Sequence, residues 1–243
     1  MMLRTLTTAL VLSLPLSAGA QQGEIFIPGT GDTTTLAVEP QPQSRLAACL
    51  AKPDAANCTG LDLDPGGLAL ESATGPSVSF ETLVLDLDEK KVAVAPEPPA
   101  TPTDYSAPAK PVGKIALPSV AVTIEFDFDS ASIRADQIGK MATLIEALTD
   151  PALAGTQYAV IGHTDAKGSE GYNCDLSRRR AASVTAALQA NYVPLTLYPV
   201  GFGEYVLKNI YDPRAPENRR VTFLRLPDDA GPALSTAGAV CAY

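Results

Sequence analysis

Apolar and polar residues alternate or recur with enough regularity to lay out most of the chain. TQYAVI, Thr156 to Ile161, is a short run rich in aromatic and β-branched residues and predicts a strand. From Asp175 to Gln189 the pattern changes to a helix, with Leu176, Val184 and Leu188 on one ladder of fourth residues and Ala181 and Ala187 beside it. AVTIEFDF, Ala121 to Phe128, predicts an earlier strand, followed by a turn and a helix from Asp136 to Leu148 that spaces Ile138, Met141, Ile145 and Leu148 for core packing. Leu195 to Val200 and Arg219 to Leu226 predict two further strands. The order β-α-β-α-β-β implies a mixed sheet with both helices on one face, an α/β (α+β) sandwich. Residues 115–226 suffice for one core of that kind.

The remainder is less regular. Ser44 to Lys52 predicts a short helix ending at Pro53, and Phe80 to Leu87 alternates well enough for a strand, but residues 21–94 are otherwise expected to be ordered only in part. Pro crowds Ala95 to Pro111, so 95–114 is expected to be an extended linker, at about 3 Å per residue. The Ala-, Gly- and Pro-rich residues 227–243 are expected to be a flexible tail unless Cys241 ties them down.

Arg4, the apolar run Leu6 to Leu16 and Ala18-Gly19-Ala20 have the three parts of a secretory signal, residues 1–20, with maturation near Gln21. The run is too short to span a bilayer as a helix, so no transmembrane segment is expected after its removal. No Cys follows the cleavage site, which argues against a lipid anchor. Four cysteines in an exported chain favour disulfides. Cys49 with Cys58, close in sequence, is the first pairing, and Cys174 with Cys241 the second; free thiols at the latter two are the alternative.

Charge is uneven. Residues 21–114 hold 13 acidic against 6 basic residues, whereas 115–226 hold 12 against 11. A net-acidic chain lacks the clustered Lys and Arg that nucleic acid or anionic lipid requires.

Arg180 stands on the apolar ladder of the second helix. A guanidinium is costly to bury alone and must meet a carboxylate, a ligand anion or water. Asp165, at the mouth of the preceding strand, is the local candidate. Two readings stand: a structural Asp165–Arg180 ion pair, or an anion on Arg180 with an amine on Asp165. Arg178 and Arg179 point away and predict a solvated face. His163, the only histidine, cannot join other histidines in a metal site and is read as a packing or hydrogen-bonding residue. No cofactor is expected.

GHTD at Gly162 to Asp165, Gly168, and YNxxLSxxRA from Tyr172 to Ala181 together resemble the OmpA-like C-terminal domain, the peptidoglycan-binding module of Gram-negative envelopes. FDFDSASI at Phe126 to Ile133, GFGE at Gly201 to Glu204 and NRRV at Asn218 to Val221 extend the resemblance in the family's order.

The resemblance implies that Asp165 and Arg180 hold the free end of meso-diaminopimelate in the peptidoglycan stem peptide. That end is a zwitterion: Asp accepts from its ammonium, and Arg offers a planar fork to its carboxylate. Backbone N–H groups where the helix begins, near Asn173, would add positive potential. Thr164, Asn173 and Asp129 join the implied ligand set, with Asn173 alternatively the helix N-cap and Asp127 more structural. Of Arg219 and Arg220, one is expected to brace the site and one to face solvent.

The resemblance further implies a location in the periplasm or at the outer membrane, with an outer-membrane or periplasmic protein partner for residues 21–94. No run of eight alternating strands marks a barrel. Three functions compete: a non-catalytic wall-binding protein; an envelope enzyme using Asp127, Asp129, Asp165 and His163 as acid and base; and a stator-type wall anchor if the signal is retained.

Overall fold

In the computed structural model, which describes residues 39–63, 77–95, 113–127 and 129–242, six strands form one sheet. They are β1 (Val78–Asp86), β2 (Lys91–Val94), β3 (Lys114–Val122), β4 (Gln157–His163), β5 (Thr196–Gly203) and β6 (Val221–Arg225), in the order β2-β1-β3-β6-β4-β5. Only β4 and β5 run parallel; β1, β3 and β6 pair antiparallel with their neighbours. The chain divides into units Met1–Glu39 and Pro40–Tyr243, and every element described here belongs to the second. The expected leader and residues 96–112 of the expected linker lie outside the described residues.

Alternation sorts the side chains into two cores. Tyr158 and Val160 of β4 and Phe223 of β6 face one side, where they meet α3 (Ile138–Leu148) through Met141, Leu144 and Leu148, and α4 (Glu170–Ala190) through Val184 and Leu188. The two predicted helices therefore share a face. Ile138, expected in that core, stands 64% exposed in the first turn of α3, and Leu144 takes the inward position. Ala159, Ile161, Phe202 and Leu224 face the other side.

That second face is covered by the tail. Residues expected to be flexible form α5 (Gly231–Ala239), which buries Ala233 and Ala237 against it. Small side chains let a helix lie close to a sheet, yet give little apolar contrast for a periodicity to reveal.

The domain also reaches further upstream than residue 115. The short helices α1 (Arg45–Ala51) and α2 (Ala55–Cys58) bury Leu46, Leu50 and Cys58 in the α3–α4 core. Tyr158, fully buried on β4, donates from its hydroxyl to the Leu50 carbonyl at 2.8 Å. Burial pushes that hydroxyl up to about 12. β1 and β2, within the stretch expected to be ordered only in part, extend the sheet, and Leu83 and Leu85 of β1 join the α5-side core.

A buried ion pair fastens this extension. Glu81 of β1 meets Arg220 at 3.3 Å, with side chains only 3% and 2% exposed, and also accepts from the Thr222 hydroxyl at 2.7 Å. Both expected disulfides are formed, Cys49–Cys58 and Cys174–Cys241, and no described cysteine is free.

The first predicted strand of the domain is displaced. β3 begins at Lys114 and ends at Val122, which pairs with Val221, the first residue of β6. Beyond it the chain has no neighbouring strand, and the alternation of Glu125 to Asp127 is left with a single bridge, Phe126 to Ile133.

Candidate functional site

α4 is held unusually close to both β4 and β5. A Cβ added at Gly162 would lie 2.1 Å from the Ser177 carbonyl oxygen, and one at Gly201 would lie 2.7 Å from the Arg178 nitrogen. No larger side chain fits between these elements without moving the helix. This contact sets the start of α4 beside the loop that leaves β4, and the candidate residues gather there.

α4 begins five residues earlier than its apolar pattern suggests, at Glu170, and its N-cap is Ser169. Asn173 is therefore not the cap. It is buried in the first turns of the helix, where its amide donates to the Asp165 carbonyl at 3.2 Å and to the Glu204 carboxylate. One side chain thus ties the β4 loop to the β5 end.

Arg180 is 8% exposed. Its Nε donates to the Ser130 carbonyl at 3.1 Å and its Nη2 to the Asp127 carbonyl at 3.3 Å, while the guanidinium lies 4.9 Å from the centre of the Phe126 ring. Carbonyl dipoles and an aromatic face are partial compensation for a buried cation. Among the described residues no carboxylate comes within ion-pair distance of it. Burial lowers the Arg180 pKa, and the positive charge of Arg219 lowers it further, whereas Tyr172 and Asp165 act in the opposite sense.

The Asp165 carboxylate turns instead to Arg219, at 2.8 Å, and accepts from the Lys167 amide at 3.2 Å. The direct Asp165–Arg180 ion pair is thus not formed, although the two charges are near enough to influence each other.

Asp129 completes the arrangement from the loop that Arg180 grips. Its backbone is left-handed, with φ 53°, and it accepts from the Tyr172 hydroxyl at 2.8 Å. That hydrogen bond raises the Tyr172 pKa above its ordinary value. The result is a charged cluster in which Arg180 and Arg219 supply the cations and Asp165 and Asp129 the anions. Residues 125–222 match the OmpA family.

The OmpA-like domain has relatives among outer-membrane proteins. Outer membrane porin F of Pseudomonas fluorescens is 35% identical over 106 residues, 42% of this chain and 32% of that protein. Outer membrane protein A of Bordetella avium is 36% identical over 86 residues, 32% of this chain and 40% of that protein. The chain therefore spans well under half the length of either. The crystal structure of the peptidoglycan-associated lipoprotein from Burkholderia pseudomallei aligns at 25% identity with a TM-score of 0.36, covering 42% of this chain and 87% of that one.

Within the OmpA-like domain, Asn173 contacts the Asp165 backbone, Asp129 contacts Tyr172, and Asp165 lies near enough to Arg180 for their charges to interact. Thr164 is buried, with its amide donating to the Gly203 carbonyl at 2.9 Å. His163 is buried too; its Nδ1 lies 3.2 Å from the Val206 carbonyl and its ring stacks edge-on against Phe202. Arg178 and Arg179 pair with Asp175 on the solvated face.

Arg219 braces the site, but Arg220 does not face solvent: it is the buried partner of Glu81. Tyr172 and Glu204, which hydrogen-bond Asp129 and Asn173, stand outside the expected ligand set. Both lie inside the motif strings, Tyr172 opening YNxxLSxxRA and Glu204 closing GFGE, so the signal was present.

Proposed function

We propose that this protein binds peptidoglycan non-covalently, without catalysis, by holding the diaminopimelate end of the stem peptide between Asp165 and Arg180. The observation that carries this reading is Arg180, a buried guanidinium bound by carbonyls rather than by a carboxylate. Such a group is deficient in negative charge, and the carboxylate of a zwitterionic amino-acid end supplies it. Asp165, the nearby acid, receives the ammonium, sharing its charge with Arg219. Asp129 borders the site from the loop that Arg180 fixes, and Tyr172 from the first turn of α4.

The family match over residues 125–222 and relatives named as outer-membrane proteins support an envelope role. Among the described residues no helix is long and apolar enough to cross a membrane. In this reading the chain is exported and works in the periplasm or against the outer membrane, with residues 21–94 contributing to a contact with an envelope protein.

Purified protein incubated with diaminopimelate-type sacculi provides the test. Wild type should co-sediment, and Asp165→Ala and Arg180→Ala should not, while both keep the circular dichroism of the wild type. Folded variants that still co-sediment undiminished sink the proposal, and soluble muropeptides released by the wild type turn it toward an enzyme.

A further inference from the structure

Beside the Asp165 socket the chain builds a loop whose internal bonding exceeds what a simple connection needs. Asn218 is fully buried at its centre. Its Oδ1 accepts from the amides of Lys208 and Asn209, both at 2.9 Å, and its Nδ2 donates to the carbonyls of Asn209 and Asp212 at 3.2 and 3.0 Å. The Asn209 side chain in turn accepts from the amides of Tyr211 and Asp212 at 3.0 and 2.9 Å.

This loop holds Ile210 and Tyr211 in solvent, 67% and 94% exposed. Two large, exposed apolar groups on consecutive residues, on backbone fixed by this many hydrogen bonds, are already organised for contact.

The loop is joined to the socket. The Ala166 amide donates to the Pro213 carbonyl at 2.9 Å, and Arg219, at the loop's far end, holds Asp165. Tyr211 lies two residues from Pro213, a backbone reach of at most about 7 Å from that contact. A diaminopimelate residue that is third in its stem is separated from the muramyl sugar by two residues, a span of about the same length.

We propose that Tyr211, supported by Ile210, is a carbohydrate subsite that stacks on an aminosugar ring of the strand whose stem peptide occupies Asp165 and Arg180. Axial C–H bonds of a pyranose carry partial positive charge and complement the negative face of an aromatic ring. The proposal rests on the diaminopimelate reading and extends it from the peptide to the glycan.

Two probes separate the two readings: the tripeptide L-alanyl-D-glutamyl-meso-diaminopimelate, and the same tripeptide carrying its N-acetylglucosaminyl–N-acetylmuramyl disaccharide. Calorimetric titration of the full chain should show the disaccharide peptide binding about tenfold more tightly than the bare peptide. Tyr211→Ala should abolish that advantage and leave bare-peptide binding unchanged, whereas Tyr211→Phe should retain it. Equal affinity for both probes in the wild type, or an equal loss on both in Tyr211→Ala, overturns the subsite. Failure of both probes to bind the wild type overturns the diaminopimelate reading, and the subsite with it; binding of the bare peptide alone overturns only the subsite.

Discussion

Arg219, not Arg180, grasps the carboxylate of Asp165, at 2.8 Å. The acid that the ligand's ammonium would use is therefore already oriented, by a side chain arriving from the opposite end of the loop that carries Tyr211. The Arg219 side chain is 48% exposed, and such pairs contribute little to stability. Arg219→Ala should cost less than about 1 kcal/mol in denaturant unfolding. Sacculus binding should weaken in that variant but persist, in contrast to Asp165→Ala; complete loss in both would show that Arg219 meets the ligand itself.

Arg180 makes three kinds of contact at once: Nε to Ser130, Nη2 to Asp127, and its face to Phe126. An ammonium cannot keep this geometry, because it has neither the plane nor the spread of donors. Arg180→Lys should weaken sacculus binding at least about tenfold, the loss expected for roughly 1.4 kcal/mol of charged hydrogen bonding. Undiminished binding in a co-sedimentation series would exclude fork-like recognition.

His163 makes stability depend on pH. Burial, with a smaller contribution from the Arg220 charge, holds its pKa well below the ordinary value, so the folded ring is neutral. As pH falls below about 6.5 the unfolded chain takes up a proton that the folded chain refuses, so the unfolded state is favoured. Stability should decline by up to about 1.4 kcal/mol per pH unit from there downward until the folded ring protonates. The described aspartates with lowered pKa values act at lower pH. Denaturant midpoints measured between pH 4.5 and 6.5 should slope in the wild type and flatten in His163→Gln.

The Cys174–Cys241 bond joins the start of α4 to the end of α5 across a separation of 67 residues. Its loss frees a large loop in the unfolded chain, about 4 kcal/mol in the chain-entropy account. The Cys49–Cys58 bond, with a separation of 9, should matter less, roughly 2.5 kcal/mol. Cys241→Ser should therefore lower the denaturant midpoint more than Cys58→Ser, and should raise amide exchange selectively in residues 231–239.

Where the sequence was informative, the reason was contrast. Leu176, Val184 and Leu188 stand out among polar neighbours and mark the buried face of α4, and the alternation from Phe80 to Asp86 marks β1. α5 went unread because Ala233 and Ala237 bury small surfaces amid other small residues. The first turn of α4, Glu170 to Cys174, has almost no apolar periodicity; only the capping serine at 169 announces it. The pairing of Asp165 with Arg219 spans 54 residues and depends on β6 lying beside β4, which no local pattern encodes. The motif strings named both arginines and both acids but could not say which arginine faced which acid.

Glu81 and Arg220 are separated by 139 positions in sequence and sealed together in the interior. A recombinant fragment cut at residue 125, where the family match begins, would strand the arginine without its counter-charge and strip β6 of its neighbour β3. Removing one member of such a couple costs about 3–5 kcal/mol. Productive expression should thus need a start near residue 40, and shorter versions should precipitate through the bared strand edge.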